Sequence, residues 1–342
     1  MSLPLEIGLH AAVVTVNEGA PQVLTITDRE AGLDGLPFGP FDPERHPTLD
    51  TGLRNWVEEQ TRLKLGHVEQ LYTFGDQGRL RSGVRGDVNF VSVGYLALVR
   101  GVMNPVDDNR SDWRSWYRFF PWEDWRQGPP AILTETILPV LSKWVMDSPD
   151  QVSGNSAPPR AARFRLAYGA DQNVQHQWGF ENWDEERVLE RYELMYEAGL
   201  VDEAAVDGRV KHRLVETATG VPMLHDHRRI LATAMARLRG KLKYRPLVFE
   251  VMPEEFTLTQ LQQTVETLSG RTLHKQNFRR LVENTNLVEP TGAQTAQTGG
   301  RPAAIFRFKK SSVSLSRIPP SLLANNSNCK YSMRLCSFPM SF

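Results

Sequence analysis

Between residues 273 and 284 the chain places Lys275, Gln276, Asn277, Arg279 and Arg280 around the apolar positions Phe278, Leu281 and Val282. At ~3.6 residues per turn the apolar three share one side of a helix, and the five donors take the other sides. Arg and Lys pair with guanine edges or phosphates, while Gln and Asn amides pair with adenine. A helix with such donors near its N-terminal half suits the major groove of DNA. The competing assignment is the solvated basic face of a protein–protein module.

The elements that would hold this helix are legible around it. Phe256, Leu258, Leu261, Val265 and Leu268 make an apolar stripe with Thr257 placed to cap, so a helix is predicted there. Ser269-Gly270-Arg271-Thr272 is a short Gly-containing turn, the connection a helix-turn-helix needs. Leu287 to Pro290 and Ala304 to Phe308 read as two strands, and the polar loop between them, with Arg301, reads as a wing.

Charge is divided along the chain. The whole carries 40 basic and 40 acidic residues, but residues 225–310 hold fifteen against seven and residues 1–224 hold twenty-two against thirty-three. A basic rear and an acidic front suggest that one part seeks nucleic acid and the other does not. Double-stranded operator DNA is therefore an expected partner.

The front half mixes strand and helix signals. Leu9 to Val16 and Gln22 to Thr27 read as strands, Leu49 to Leu65 as an amphipathic helix, and Ala131 to Val145 as a closing helix that Pro139 bends or breaks. The run Asp112 to Trp122 is rich in Trp, Tyr and Phe and is assigned to core packing or a dimer interface. Arg81, Arg85 and Arg118 are weak candidates to meet the phosphates of a nucleotide stacked near it. Further helices are expected from Trp183 to Leu200, capped by Asn182 or Asp184, and from about Met223 to Leu242.

Several classes are disfavoured. Both cysteines, Cys329 and Cys336, lie in the last fourteen residues, which excludes a disulfide framework or cysteine zinc site upstream and fits a reducing cytoplasm. No run approaches the ~20 apolar residues of a membrane span, so no membrane partner is expected. Met1 to Glu6 lacks the pattern of a signal peptide. The His225-Asp226-His227 cluster is assigned a structural rather than metal role, and neither a metal nor a cofactor is expected. From Ser311 the chain has nine Ser in thirty-two residues and no acid, which reads as disorder or as a segment translated out of its ancestral frame.

The stretch Asp226 to Ile230, the run from Arg237 through RLRGKLKYRPLVFEVMPEEFTLTQLQQTVETLSGRTLHKQNFRRLVE, and GGRPAAIFRF resemble the C-terminal domain of the Nudix-related transcriptional regulators of NAD metabolism, the NrtR family. The resemblance implies an operator-binding winged helix within a dimer, with Lys275, Asn277, Arg279, Arg280 and Arg301 as DNA contacts. Lys241, Lys243 and Arg245 are either phosphate contacts or a linker coupling the domains.

The front half is similar to a Nudix domain in element order. Nudix hydrolases place glutamates three and four apart on one helical face, where they hold Mg²⁺ against a pyrophosphate. Here two registers compete. If Thr61-Arg62-Leu63 ends the motif, Asn55 stands for its Arg, Trp56 for its first Glu and Gln60 for its last, and only Glu59 survives. If Arg54 is the motif arginine, Glu58 and Glu59 survive and Asn55 replaces the first Glu. The first register is favoured, and in both the metal set is incomplete. The resemblance thus implies an inactive domain that senses ADP-ribose or a related nucleotide. The alternative is a hydrolase of nucleoside diphosphate derivatives with an accessory winged domain.

The expected fold class is α+β. A degenerate Nudix-like α/β/α sandwich is expected over 1–150, a linker and helical insert over 151–222, a winged helix-turn-helix over 223–310 and a tail over 311–342.

Overall fold

The computed structural model describes residues 5–76, 89–101, 111–147, 159–169, 180, 182–211, 219–244, 247–285, 287–295 and 302–309. Seven strands form one mixed sheet: β1 (Leu5–Asn17), β2 (Ala20–Asp28), β3 (Leu33–Gly35), β4 (Phe38–Pro40), β5 (His67–Phe74), β6 (Asn89–Leu98) and β7 (Ser111–Ser115). The main path runs β3-β2-β1-β6-β5, with β4 on β1 and β7 on β2. Among the described strand pairs β1 and β6 alone run parallel, from Leu5 opposite Asn89 to Val14 opposite Leu98. The described helices are α1 (Leu49–Thr61), α2 (Leu138–Met146), α3 (Arg160–Tyr168), α4 (Val188–Glu197), α5 (Asp202–Val206), α6 (His227–Tyr244), α7 (Leu258–Ser269) and α8 (Lys275–Thr285). A second sheet, ordered β8-β10-β9, comprises β8 (Glu255–Thr257), β9 (Val288–Gln294) and β10 (Ala304–Phe308).

Alternation along β1 explains the layers. Leu9, Ala11 and Val13 point to one face and pack with Leu53 and Val57 of α1. Ala12 and Val14 point to the other and join a core that includes Ile230, Leu231 and Leu238 of α6. The sheet is therefore sandwiched between α1 and α6. Because α6 also touches β5 and β6, the second face of the front sheet is closed by a helix that follows the insert in sequence.

Three local readings are corrected. The helix expected from Trp183 begins only at Val188: the Asp184 carboxylate accepts the Glu186 N–H (3.0 Å) in a turn, and Arg191 takes the Asp184 carbonyl (2.8 Å). Phe256 lies not on a helix but on β8, opposite Phe306, because Thr257 and Gln260 form a capping box that starts α7 one residue later. Pro139 falls in the first turn of α2, and the residues ahead of it, Ile132–Ile137, form a π-helical segment that runs into that helix.

The aromatic run is core. Trp116, Phe119, Phe120 and Trp122 are fully buried, and Trp113 and Tyr117 nearly so. Among them Glu123 is also buried, held between two buried guanidiniums. Its Oε1 accepts Arg191 Nε (2.6 Å) and its Oε2 accepts Arg191 Nη2 (2.9 Å) and Arg239 Nη1 (2.6 Å). Burial alone raises a carboxyl's pKa; the adjacent Arg191 and Arg239 outweigh it and hold Glu123 below its ordinary value. The remaining guanidinium donors reach the carbonyls of Ala167, Asp184, Glu185, Glu123 and Leu268. Glu123→Gln strips the countercharge from both arginines, and a loss of about 3–5 kcal/mol is expected in urea unfolding; a loss under ~1 kcal/mol contradicts this account.

Candidate functional site

The exposed basic face of α8 forms as the residue pattern requires. On α8, Phe278 and Val282 are buried, while Lys275, Gln276, Asn277, Arg279 and Arg280 are all exposed. Successive residues on a helix point ~100° apart, so Arg279 and Arg280 address different directions. Arg307 of β10 pairs with Glu289 of β9 (2.8 Å) across the wing strands. Arg301, Arg81 and Arg85 lie outside the described residues, as do Arg245 and the Lys243 side chain. Lys241 is tied by its ammonium to Glu69 on β5, which makes it a strut between α6 and the sheet. Arg118 is exposed, and its carbonyl accepts the Val221 N–H (3.1 Å).

The unit carrying α8 is seated on the body through backbone. Helix ends leave carbonyls without intrahelical partners, and at the end of α7 the body supplies the donors. Tyr117 Oη donates to the Thr267 carbonyl (2.9 Å), Arg239 Nε to Leu268 (3.1 Å), and the Trp125 N–H to Gly270 (2.8 Å). Arg271 returns the contact by donating to the Trp183 carbonyl (3.2 Å). Gly270 has φ +75°, and a β-carbon there would lie 2.5 Å from the Glu123 carbonyl oxygen. Sequence reasoning missed Tyr117, Glu123, Trp125 and Arg239, whose sites are distant in sequence and share no motif.

On the opposite side, α1 holds the residues aligned with the metal-binding motif, and they are otherwise engaged. Trp56 Nε1 donates to the Pro40 carbonyl (2.9 Å), and its ring lies so close to Gly39 that a β-carbon there would sit 2.2 Å from it. Gln60 pins β4 twice, accepting the Phe38 N–H (3.1 Å) and donating to the Phe38 carbonyl (2.7 Å). Asn55, Glu58 and Glu59 are exposed, with Glu58 facing Lys64 (3.5 Å) and Glu59 facing Arg45 (3.9 Å). Among the described residues no three His, Cys, Asp or Glu side chains are grouped to hold a metal ion. The donor set present does not fit a divalent ion bridging a pyrophosphate, since an indole and a backbone-bonded amide stand where carboxylates are needed.

His225-Asp226-His227 opens α6 against the sheet. His227 Nδ1 accepts the Leu36 N–H (3.0 Å), so its proton belongs on Nε2, which faces His10 Nδ1 at 2.9 Å. Phe38 stacks on His10 at a centroid distance of 5.8 Å. Burial, then the neighbouring His225, lowers His10 to about 3; burial, then His10 and His225, lowers His227 as well. The imidazoles are thus neutral structural partners joining β1 to α6.

These features define a class: an α/β/α sandwich joined to a winged helix whose α8 exposes a basic face. Residues 248–308 match the family model described as the NrtR DNA-binding winged helix domain. Over 94 residues the chain is 39% identical to the ADPR responsive transcriptional repressor NtrR of Acinetobacter baylyi, covering 28% of this chain and 37% of that relative. Among solved structures, Shewanella oneidensis NrtR complexed with a 27mer DNA is 19% identical over 91% of this chain and 96% of its own, at TM-score 0.52. The same protein without DNA gives 18%, 91%, 97% and 0.52. The architecture is therefore NrtR-like: a Nudix-like sandwich followed by a winged helix.

The histidine pair yields a pH dependence. Both imidazoles take up protons in the unfolded chain near the ordinary value of 6.5 but resist them when folded. Stability is therefore full above that value and falls as pH drops below it, by about 1.4 kcal/mol per pH unit for each imidazole. Between about pH 5 and the ordinary histidine value, before carboxylates dominate, His10→Phe should roughly halve the slope of urea stability against pH. An unchanged slope would show that the pair is not the titrating element.

Proposed function

We propose that this chain is a DNA-binding transcriptional regulator whose sandwich senses a nucleotide such as ADP-ribose or a related NAD metabolite without hydrolysing it. The observation that carries the reading is the exposed Lys275, Gln276, Asn277, Arg279 and Arg280 face, on a domain matched to an NrtR winged helix. Two relatives support it by their descriptions: one is an ADPR responsive repressor, and one was solved on DNA. The lost carboxylates at Trp56 and Gln60 favour sensing over turnover, since a regulator that destroys its effector resets its own signal. A homodimer fits this reading, because paired winged domains match the two halves of a palindrome.

Three measurements test it. Selection from a random-sequence duplex pool should enrich a palindromic operator. On that operator, Lys275→Ala and Asn277→Ala should each weaken specific binding by about 1–3 kcal/mol. Arg301→Ala should weaken binding to all duplexes and flatten its salt dependence. Loss of no discrimination in the α8 variants would return the basic half to a protein-binding role. ADP-ribose should raise the melting temperature yet survive incubation with Mg²⁺ or Mn²⁺. Robust turnover abolished by Glu59→Gln would establish the hydrolase instead.

A further inference from the structure

The apolar seat of α8 cannot by itself decide which side chains meet DNA. Phe278 and Val282 anchor the helix axis, but apolar contact is non-directional and resists rotation about that axis weakly. Hydrogen bonds are directional. The residue at the mouth of the helix is His274, whose carbonyl accepts the Phe278 N–H (3.0 Å). It is not one of the Ser, Thr, Asp or Asn residues that usually fix a helix start through their side chains.

The peptide just before it is held on both sides. Glu266 of α7 accepts the Leu273 N–H through Oε1 at 2.7 Å. Gln262, one turn earlier, donates from Nε2 both to that carboxylate oxygen (2.9 Å) and to the Leu273 carbonyl (2.9 Å). An amide carries two protons on its nitrogen, so both bonds are made at once. Leu273 thus has donor and acceptor locked to two side chains of α7, two residues upstream of Lys275. The end of α7 is in turn locked to the body by Tyr117, Arg239 and Trp125.

We propose that Glu266 and Gln262 are positioning residues for sequence reading: their grip on the Leu273 peptide sets the rotation and entry of α8, and so selects which donors face base edges. This rests on the reading of α8 as the DNA helix. The clamp contacts no base itself. It therefore governs discrimination between sequences, while phosphate attraction, which is carried by Lys and Arg charge, is left in place.

The test uses the full chain, the duplex it enriches from a random-sequence pool, and a scrambled duplex of equal length, titrated with salt. Glu266→Ala should cost about tenfold in affinity for the enriched duplex, the worth of one lost charged hydrogen bond. Affinity for the scrambled duplex and the salt slope should not fall. Glu266→Gln retains an acceptor oxygen for the Leu273 N–H and should recover most of the discrimination. Gln262→Ala should show a smaller loss in the same direction, and it serves as the reading if Glu266→Ala fails to fold. Retained discrimination in the alanine variants overturns the proposal, as does equal loss on both duplexes or a Gln variant as poor as Ala. Failure of the unaltered chain to enrich any sequence defeats the DNA-binding reading itself, and the positioning role falls with it.

Discussion

One carboxylate with two guanidiniums holds this molecule together. Glu123 ends a short 3-10 turn, Pro121–Glu123, at the close of the aromatic run, Arg191 comes from α4 and Arg239 from α6, and all three are shut off from solvent. Removing three charges from water costs several kcal/mol per ion, so the cluster is tenable only when every lone pair and proton is used. Five surrounding carbonyls take further guanidinium protons, and one of them, at Leu268, belongs to the helix that precedes α8. Separating any member would leave charge buried without a partner. The front sheet, the insert and the winged helix are therefore parts of one electrostatic construction, not modules on a string.

The same economy appears on the opposite layer. A helix that in a Nudix hydrolase would present carboxylates to metal instead presents Trp56 and Gln60 to the backbone of β4. Gly39 has no side chain beneath the indole, and no other residue fits there without moving it. Trp56 and Gln60 act as scaffold, so a glutamate at either position would remove a brace as well as add a charge.

What was readable in the sequence was local. Thr257, placed to cap, marked the start of α7, and the spacing of Phe278 and Val282 separated the buried from the exposed side of α8. The early strands followed from their β-branched runs. Glu123 carried no such sign: its partners lie 68 and 116 residues away, and a lone acid in an aromatic run reads as an exception until the fold supplies two arginines. Glu266 and Gln262 looked like the polar side of an amphipathic helix, because their partner is a peptide group, and peptide groups leave no trace in side-chain pattern. Phe256 fitted a helical stripe and belonged to a strand, since one capping residue outweighed periodicity.

The sandwich also has an unusual order of assembly. Its first face packs on α1, which lies between β4 and β5 in sequence, whereas α6, which packs on β1, β5 and β6 from the other side, follows the whole insert. Until α6 is in place, Ala12, Val14, Leu96 and Leu98 belong to a sheet with one bare side. Chains in that condition are the ones most exposed to mispairing and in need of chaperones. By the time α6 seals the sheet, its far end already leads into the winged helix. A nascent chain thus has only a brief interval in which a finished front domain exists without the unit it positions.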